Sequence, residues 1–274
     1  MRPRIGHIQF LNCLPLYYGL VTQNVLLDIE LVKGTPTELN QFLIRGELDI
    51  GPLSSIEYCF HQDKFLLLPD LAVSSDGRVQ SILMVSKRPA RELDGQSVSL
   101  ANTSATSQIL LKIILAQKYG VQPTYVVSPP DLPRMLMESE AALLIGDVAL
   151  RALYHPQDLL IYDLGEEWKG LTGYPMTYAV WVVRREFAIE KAHLASEVHR
   201  SFLKSMTYSQ ENLEQIAHDA ARWEIFSEDF LKDYFSNLEF SFDERYQKGL
   251  MLFYEKAKSL GYIAQIPQLE FFST

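Results

Sequence analysis

Short apolar runs alternate with polar turns that contain glycine or proline along the first 150 residues of the chain. Such a run predicts a strand when it is short, and a helix when apolar residues recur at helical spacing after a capping residue. The predicted order is strand 5–10, helix 14–20, strand 27–32, helix 37–45, strand 48–51 and a helix from residue 52. Strands that alternate with helices predict an α/β protein with ligand sites at the carboxyl ends of parallel strands.

Two sequences have the spacing of helix capping boxes. The first is TPTE at residues 35–38, which also places a proline at the first helical position, and Gly46 predicts the end of that helix. The second is SFDE at residues 241–244, which predicts a helix ending near Gly261. The chain is helical in pattern after its last apolar strand.

The order helix, strand, glycine, helix around Gly51 recurs around Gly146, 95 residues later. This echo indicates two similar lobes. The apolar strands 79–85 and 178–183 are predicted to cross between them, which makes two lobes joined by two crossing segments with a cleft between. The predicted domains are residues 1–85 with 179–274 (lobe I) and residues 86–178 (lobe II).

The composition allows a sizeable core, since 47% of the residues are hydrophobic and 11% are aromatic. No segment approaches the ~18 apolar residues of a membrane span, so we expect no membrane insertion. The 25 basic and 34 acidic residues give a net charge of −9, which argues against a nucleic-acid partner. An anionic ligand would have to be held by hydroxyls and local dipoles.

Motifs for metals and cofactors are missing from the sequence. Cys13 and Cys59 are expected to be reduced thiols, and the six histidines are scattered without metal-ligand spacing. No phosphate-cradling glycine loop, dinucleotide fingerprint or Ser-His-Asp order is present. The N-terminus lacks the basic and apolar regions of a signal peptide. We therefore expect a cytoplasmic protein that uses no metal and no cofactor.

Asn12 is the first candidate site residue. It is an amide in an apolar segment, between the strand at 5–10 and a helix that opens at Pro15. An amide at a strand end that faces a helix N-terminus is well placed to bind a small anionic or hydroxylated ligand.

Hydroxyl side chains cluster where the strand ending at Leu100 is followed by the apolar helix at 109–118. A helix N-cap needs one such residue, or two. The surplus here favours binding of a carboxylate or phosphate. Ser54 and Ser55 occupy the corresponding turn after Gly51 in the other lobe. The four hydroxyl residues of the cluster are Thr103, Ser104, Thr106 and Ser107.

Ser81, Gly146 and Asp147 are further candidates, whereas His7 is expected to be structural. Ser81 lies in a long apolar strand, where a serine either hydrogen-bonds locally or contacts a ligand. Gly146 and Asp147 follow the strand Ala141–Ile145, and Asp147 either caps the next helix or belongs to the site. His7 lies on an apolar strand and is expected to be a hydrogen-bonded core histidine.

Six segments of the chain form a recognisable set: GHIQFLNCLPLYYGL (6–20), GELDIGPLSSIEY (46–58), DGRVQSILMVSK (76–87), LANTSATSQ (100–108), LLIGDVALR (143–151) and WKGLTGYPMTYAVWVVRRE (168–186). They resemble the chorismate dehydratase family of the futalosine route to menaquinone, and the similarity runs nearly end to end. The resemblance implies a two-lobed type II periplasmic-binding-protein fold. It also implies that chorismate is the substrate.

The reaction implied by this resemblance is a dehydration. Chorismate would lose its ring hydroxyl and the C3 proton, giving 3-[(1-carboxyvinyl)oxy]benzoate and water. The family's two key polar residues, an asparagine and a serine, correspond to Asn12 and Ser81. They would orient the leaving hydroxyl and the reacting carboxylate, in an order that the resemblance leaves open. The enolpyruvyl carboxylate of the substrate is a candidate base.

Two other functions share this fold. One is that of the sister enzyme of the pathway, a 1,4-dihydroxy-6-naphthoate synthase that acts on a cyclic futalosine derivative and opens with a different motif. The other is a transporter's solute-binding protein for small anions. The missing signal peptide argues against the second.

Overall fold

The computed structural model describes residues 2–22, 28–156 and 158–273. Leu27, where the second strand was predicted to begin, lies outside the described residues. The strands are β1 Arg4–Ile8, β2 Glu30–Gly34, β3 Ile50–Ser54, β4 Phe65–Ser75, β5 Ile82–Ser86, β6 Ser97–Ala101, β7 Thr124–Ser128, β8 Ala141–Ile145, β9 Leu160–Asp163 and β10 Met176–Arg184. The α-helices are α1 Leu14–Thr22, α2 Pro36–Arg45, α3 Ser55–His61, α4 Ala105–Ile114, α5 Leu132–Glu138, α6 Gly146–Tyr154, α7 Leu164–Thr172, α8 Arg185–Glu190, α9 Ala192–Glu211, α10 Leu213–Ala221, α11 Glu228–Asn237 and α12 Glu244–Ser259.

The chain divides into two compact units. The first consists of Met1–Ser74, Ala179–Asp243 and Pro267–Thr274, and the second of Ser75–Tyr178 and Glu244–Ile266. Two five-stranded sheets are present, with strand orders β2-β1-β3-β10-β4 and β7-β6-β8-β5-β9. The predicted α/β fold in two lobes is confirmed.

Four strands of each sheet have the same arrangement. In the first, β1 lies between its parallel neighbours β2 and β3, and β10 runs antiparallel to β3. In the second, β6 lies between its parallel neighbours β7 and β8, and β5 runs antiparallel to β8. The predicted repeat of helix, strand and helix is confirmed, because β3 and β8 occupy the same place in their sheets. The glycines differ, since Gly51 lies within β3 whereas Gly146 begins α6.

Helix α2 forms where the local sequence predicts it. The backbone N–H of Thr35 donates to Glu38 Oε2 at 2.8 Å, and the backbone N–H of Glu38 donates to Thr35 Oγ1 at 3.4 Å. These two bonds are the predicted capping box. Gly46 ends the helix in the left-handed region, with φ of 78°, a conformation that glycine adopts at little steric cost.

Helix α1 is held closely against α9. Ser205 Oγ of α9 donates to the carbonyl of Leu16 at 2.6 Å. At Gly19, a Cβ atom would lie 2.8 Å from the Cα of Ser205, so any side chain there would push the two helices apart. The packing fixes the helix that begins two residues after Asn12.

Strand β3 is longer than predicted, and the helix predicted from residue 52 is wrong in its start. Pro52 and Leu53 pair with Trp181 and Val180 of β10. Pairing with a strand more than a hundred residues away holds these residues extended, so that α3 begins only at Ser55.

The strand predicted at 79–86 begins at Ile82, so Ser81 precedes β5 instead of lying within it. The helix predicted at 109–118 begins at Ala105. Strand β4 was not predicted. Pairing with strands distant in sequence decides where β4 and β5 begin, whereas α4 begins directly after its local N-cap residue, Ser104.

The domain boundaries differ from the prediction at two places. Residues 75–85 belong with the second unit, because β5 pairs with β8 and β9. Helix α12 also belongs there: the rings of Trp168 and Phe253 lie 6.2 Å apart, and Gly249 packs against the carbonyl of Pro175. Among the described residues, no helix combines the length and apolar character needed to cross a bilayer.

Candidate active site

Asn12 lies in a short 3₁₀ turn, Leu11–Cys13, that connects β1 to α1. Its Oδ1 atom is buried and has no hydrogen-bond partner among the described residues. A buried acceptor left unpaired costs about 1–3 kcal/mol. This oxygen therefore offers an open hydrogen-bonding position to a ligand, at the carboxyl end of a parallel strand.

His7 precedes this turn on β1, and its ring stacks on Tyr17 with centroids 3.9 Å apart. Burial, with a smaller effect from the charge of Lys33, lowers the pKa of His7 to about 4. The imidazole is thus neutral near pH 7. The predicted hydrogen-bonded core histidine is wrong in one respect, because the buried Nδ1 has no partner in the described part of the chain.

Ser54 is the last residue of the equivalent strand β3, Ser55 begins α3, and both are buried. Asn40 Nδ2 donates to Ser54 Oγ at 2.9 Å, and the backbone N–H of Ser54 donates to Asn40 Oδ1 at 2.9 Å. These bonds give the Ser54 hydroxyl a structural partner on α2. Contact of either serine with a substrate stays a prediction.

In the second unit, the remaining candidate site residues lie at one edge of the sheet. Strands β6, β7 and β8 end at this edge, and antiparallel β5 begins there. The backbone N–H of Gly146 donates to the carbonyl of Ser81 at 2.7 Å, and that of Asn102 donates to the carbonyl of Ser128 at 3.0 Å. The structure therefore joins Ser81 to Gly146, and the hydroxyl cluster to the end of β7.

The hydroxyl cluster divides into two kinds of residue. Ser104 caps α4, since its Oγ accepts from the backbone N–H of Ser107 at 3.3 Å and donates to Ser107 Oγ at 2.9 Å. Thr106 is fully buried in the first turn of that helix. Thr103 Oγ1 is buried without a partner among the described residues, as is the Oγ of Ser128. Thr103 and Ser128 are therefore the hydroxyls left for a ligand.

Ser128 was missed by the sequence reasoning. The sequence contains a signal for Ser128, because it is the polar residue directly after the apolar run Tyr125-Val126-Val127, and it ends β7. Its partner loop lies 26 residues earlier in the chain, which is why the two were not connected from sequence alone.

Gly146 and Asp147 begin α6. Gly146 has a φ of 63°, a region that favours glycine. Asp147 lies in the first helical turn, where a carboxylate interacts favourably with the helix dipole. The N-cap residue of α6 is Ile145, and no side-chain hydrogen bond caps the helix. The alternative that Asp147 caps the helix is therefore wrong, and a contact of Asp147 with substrate stays a prediction.

Ser81 lies in a bent segment just before β5. Its backbone N–H donates to the carbonyl of Val79 at 2.7 Å, and its Oγ lies 3.3 Å from the same oxygen. Gln80 has a φ of 60°, which is unusual for a residue with a side chain. Asp163, also missed by the sequence reasoning, accepts hydrogen bonds from the backbone of Val79 and Gln80.

No group of three or more His, Cys, Asp or Glu side chains placed to hold a metal ion is found among residues 2–22, 28–156 and 158–273. Cys13 and Cys59 are free thiols, as predicted. Burial raises the pKa of Cys59 to about 11, so this thiol stays protonated and weakly nucleophilic near pH 7.

Comparison with known proteins places these residues in context. A family model described as menaquinone biosynthesis matches residues 3–259. The chorismate dehydratase of Thermus thermophilus is 30% identical over 273 residues, covering 93% of this chain and 95% of that protein.

Solved structures show the same fold. Protein AF1704 from Archaeoglobus fulgidus superposes with a TM-score of 0.77 at 22% identity, covering 96% of this chain and 98% of that one. The alkanesulfonate-binding protein SsuA from Xanthomonas axonopodis superposes with a TM-score of 0.72 at 17% identity, covering 99% of this chain and 96% of that one. The fold is thus that of periplasmic binding proteins.

Proposed function

The chain belongs to the menaquinone biosynthesis family, and from this premise we propose that it is a chorismate dehydratase, a carbon–oxygen lyase. The substrate would be chorismate, and the products 3-[(1-carboxyvinyl)oxy]benzoate and water. The supporting observation in the structure is the buried Oδ1 of Asn12, which has no partner among the described residues. An unpaired acceptor of this kind is costly unless a ligand pairs with it.

In this reaction the main role of the protein would be to position the substrate. The C3 proton of chorismate is acidified by conjugation through the ring alkene to the ring carboxylate. The electron pair of the C3–H bond enters the ring as the C4 hydroxyl leaves, and the ring becomes aromatic. The proton passes to the enolpyruvyl carboxylate and then to the departing hydroxyl, which leaves as water. No oxidant or reductant is needed.

Asn12 and Ser81 would supply the orienting hydrogen bonds. The free acceptor of Asn12 suits a hydroxyl donor, and we assign it to the ring hydroxyl of chorismate. The Ser81 hydroxyl, with only a 3.3 Å contact to Val79, suits a carboxylate acceptor. Hydrogen bonds that hold the reacting groups in line account for large rate effects without a general base from the protein.

The substrate's carboxylates would be bound by hydroxyl groups and helix N-termini. Thr103 and Ser128 have buried hydroxyls with open positions, and α4 begins beside Thr103. Further candidates for substrate binding in the two units are Ser54, Ser55, Ser104, Thr106, Ser107, Gly146 and Asp147. A chain with a net charge of −9 needs such local donors to attract a dianion.

The proposal is tested by incubating the purified protein with chorismate, with and without a chelator. We expect new aromatic absorbance and a product lighter by one water, at equal rates in both samples. Binding of chorismate without turnover would favour a solute-binding protein. Turnover of a cyclic futalosine derivative instead would favour the sister enzyme. Independence of metal and cofactor, and a cytoplasmic location, stay predictions.

A further inference from the structure

Asp163 lies at the end of β9 and is the N-cap of α7. Its Oδ1 accepts hydrogen bonds from the backbone N–H groups of Gly165 at 2.9 Å and Glu166 at 3.2 Å. These two bonds cap the helix, the ordinary role of an aspartate at this position. Burial raises the pKa of Asp163, while its backbone donors act in the opposite direction.

The same carboxylate has a second pair of partners far away in sequence. The backbone N–H of Gln80 donates to Oδ2 at 2.6 Å, and that of Val79 lies 3.1 Å from both oxygens. Val79 and Gln80 are 2% and 1% exposed, so water does not replace these bonds. Without the carboxylate, these two buried N–H groups would lose their acceptor, which is unfavourable away from water.

These bonds maintain an unfavourable backbone conformation. Gln80 has a φ of 60°, a backbone region that is unfavourable for a residue with a side chain. The residue that follows is Ser81, whose N–H closes a tight turn onto Val79. The direction of the Ser81 side chain therefore depends on the turn that Asp163 holds.

The segment is also confined on its other side. A Cβ atom on Gly165 would lie 2.0 Å from the carbonyl oxygen of Gly77, so the first turn of α7 presses directly on this segment. Ser75 Oγ donates to the same carbonyl at 2.9 Å and pairs with the hydroxyl of Tyr178 at 2.9 Å. After the turn, the carbonyl of Ser81 accepts from Gly146, which leaves little freedom for Ser81.

We propose that Asp163 is a positioning residue for the Ser81 hydroxyl, acting through the Val79–Gln80 turn. The inference rests on the proposed function of Ser81 and goes beyond it, because the resemblance assigns no role to Asp163. A helix cap alone would use two of the four amide contacts. The other two hold the residues that determine where Ser81 points.

The experiment compares Asp163→Ala and Asp163→Asn with Asp131→Ala. Asp131 is a matched control, since it caps α5 in the same unit through the N–H of Arg134 and has no contact with the Ser81 turn. We expect kcat for chorismate to fall roughly 10²-fold in Asp163→Ala, because small misplacements of an orienting group have effects of this size. KM should change by less than about threefold, as expected when transition-state interactions are lost. Asp163→Asn keeps one acceptor oxygen and should recover part of kcat.

A double-mutant cycle with Ser81→Ala separates positioning from general destabilisation. If Asp163 acts through Ser81, adding Asp163→Ala to Ser81→Ala should lower kcat by no more than about threefold, because interacting residues are not additive. Hydrogen exchange of the amides of residues 79–82 should accelerate in Asp163→Ala and stay unchanged in Asp131→Ala.

Full additivity in the cycle, or equal kcat losses in Asp163→Ala and Asp131→Ala, would overturn the inference. Unchanged exchange at residues 79–82 would overturn it as well, and this readout needs no substrate. Failure of the wild-type protein to convert chorismate would instead refute the proposed function, so the two failures are distinguishable.

Discussion

Replacement of Asn12 by alanine should separate the stability of the protein from its activity. The buried Oδ1 of Asn12 has no partner among the described residues, so the folded protein carries the desolvation cost of this atom, about 1–3 kcal/mol. Alanine removes the cost and loses some packing. We expect the free energy of unfolding to stay the same or rise by about 1 kcal/mol, which corresponds to a Tm higher by roughly 2–4 °C.

Asn40 provides the matched control in the same unit. It is also a buried amide, at 1% exposure, but both ends of its side chain are paired with Ser54 at 2.9 Å. Asn40→Ala removes two hydrogen bonds and leaves the N–H of Ser54 unpaired. We expect a loss of about 2–4 kcal/mol of stability. Substitution by alanine should therefore change the free energy of unfolding in opposite directions at the two asparagines.

The assay combines thermal unfolding with steady-state turnover of chorismate. For Asn12→Ala we expect kcat/KM to fall roughly 10²-fold, the usual cost of losing one oriented hydrogen bond to a transition state, with no loss of Tm. If Asn12→Ala is destabilised as much as Asn40→Ala, the amide is a structural group and the reasoning is refuted. Unchanged kcat/KM with a raised Tm would place the substrate elsewhere.

Three further predictions concern other polar groups. Ser81→Ala should lower kcat roughly 10²-fold with little change in KM; steady-state kinetics checks this, and an unchanged kcat would make Ser81 structural. Thr103→Val removes a hydroxyl with no partner in the described chain, so it should raise KM roughly tenfold and leave Tm unchanged. The control Ser104→Ala should lower Tm, because it removes the N-cap of α4. A fall confined to kcat in Thr103→Val would contradict a carboxylate-binding role for Thr103. The pKa of His7 is about 4 in the folded protein, against an ordinary value of 6.5 for the unfolded chain. As the pH drops from 6.5 to 4, the unfolded chain therefore takes up a proton while folded His7 stays neutral. The free energy of unfolding should fall by about 2 kcal/mol over this range, after allowance for the partial exposure of the ring. His7→Gln should flatten this part of the stability profile, and parallel profiles for the two proteins would show that His7 does not titrate as described.

The parts of the fold that the sequence determines by itself are those whose causes are local. The capping box of Thr35 and Glu38, the left-handed Gly46 and the helix Leu132–Glu138 all depend on residues within a few positions of each other. The alternation of strands and helices predicts the α/β class for the same reason. The segment around Asn12 could also be singled out, because an amide between an apolar strand and a helix is a local pattern.

Tertiary structure alone decides the features that depend on distant pairing. Residues 52–54 are extended because they pair with β10, and α12 belongs to the second unit because Phe253 packs on Trp168. Asp163 shows a local cap signature, yet its bonds to Val79 and Gln80 span 84 and 83 residues. Side-chain contacts between segments so far apart leave no periodicity in the sequence, since each segment satisfies its own local pattern. Ser81 could be named as a candidate from the sequence. The turn that directs its hydroxyl, in contrast, forms only when the segments of the second sheet come together.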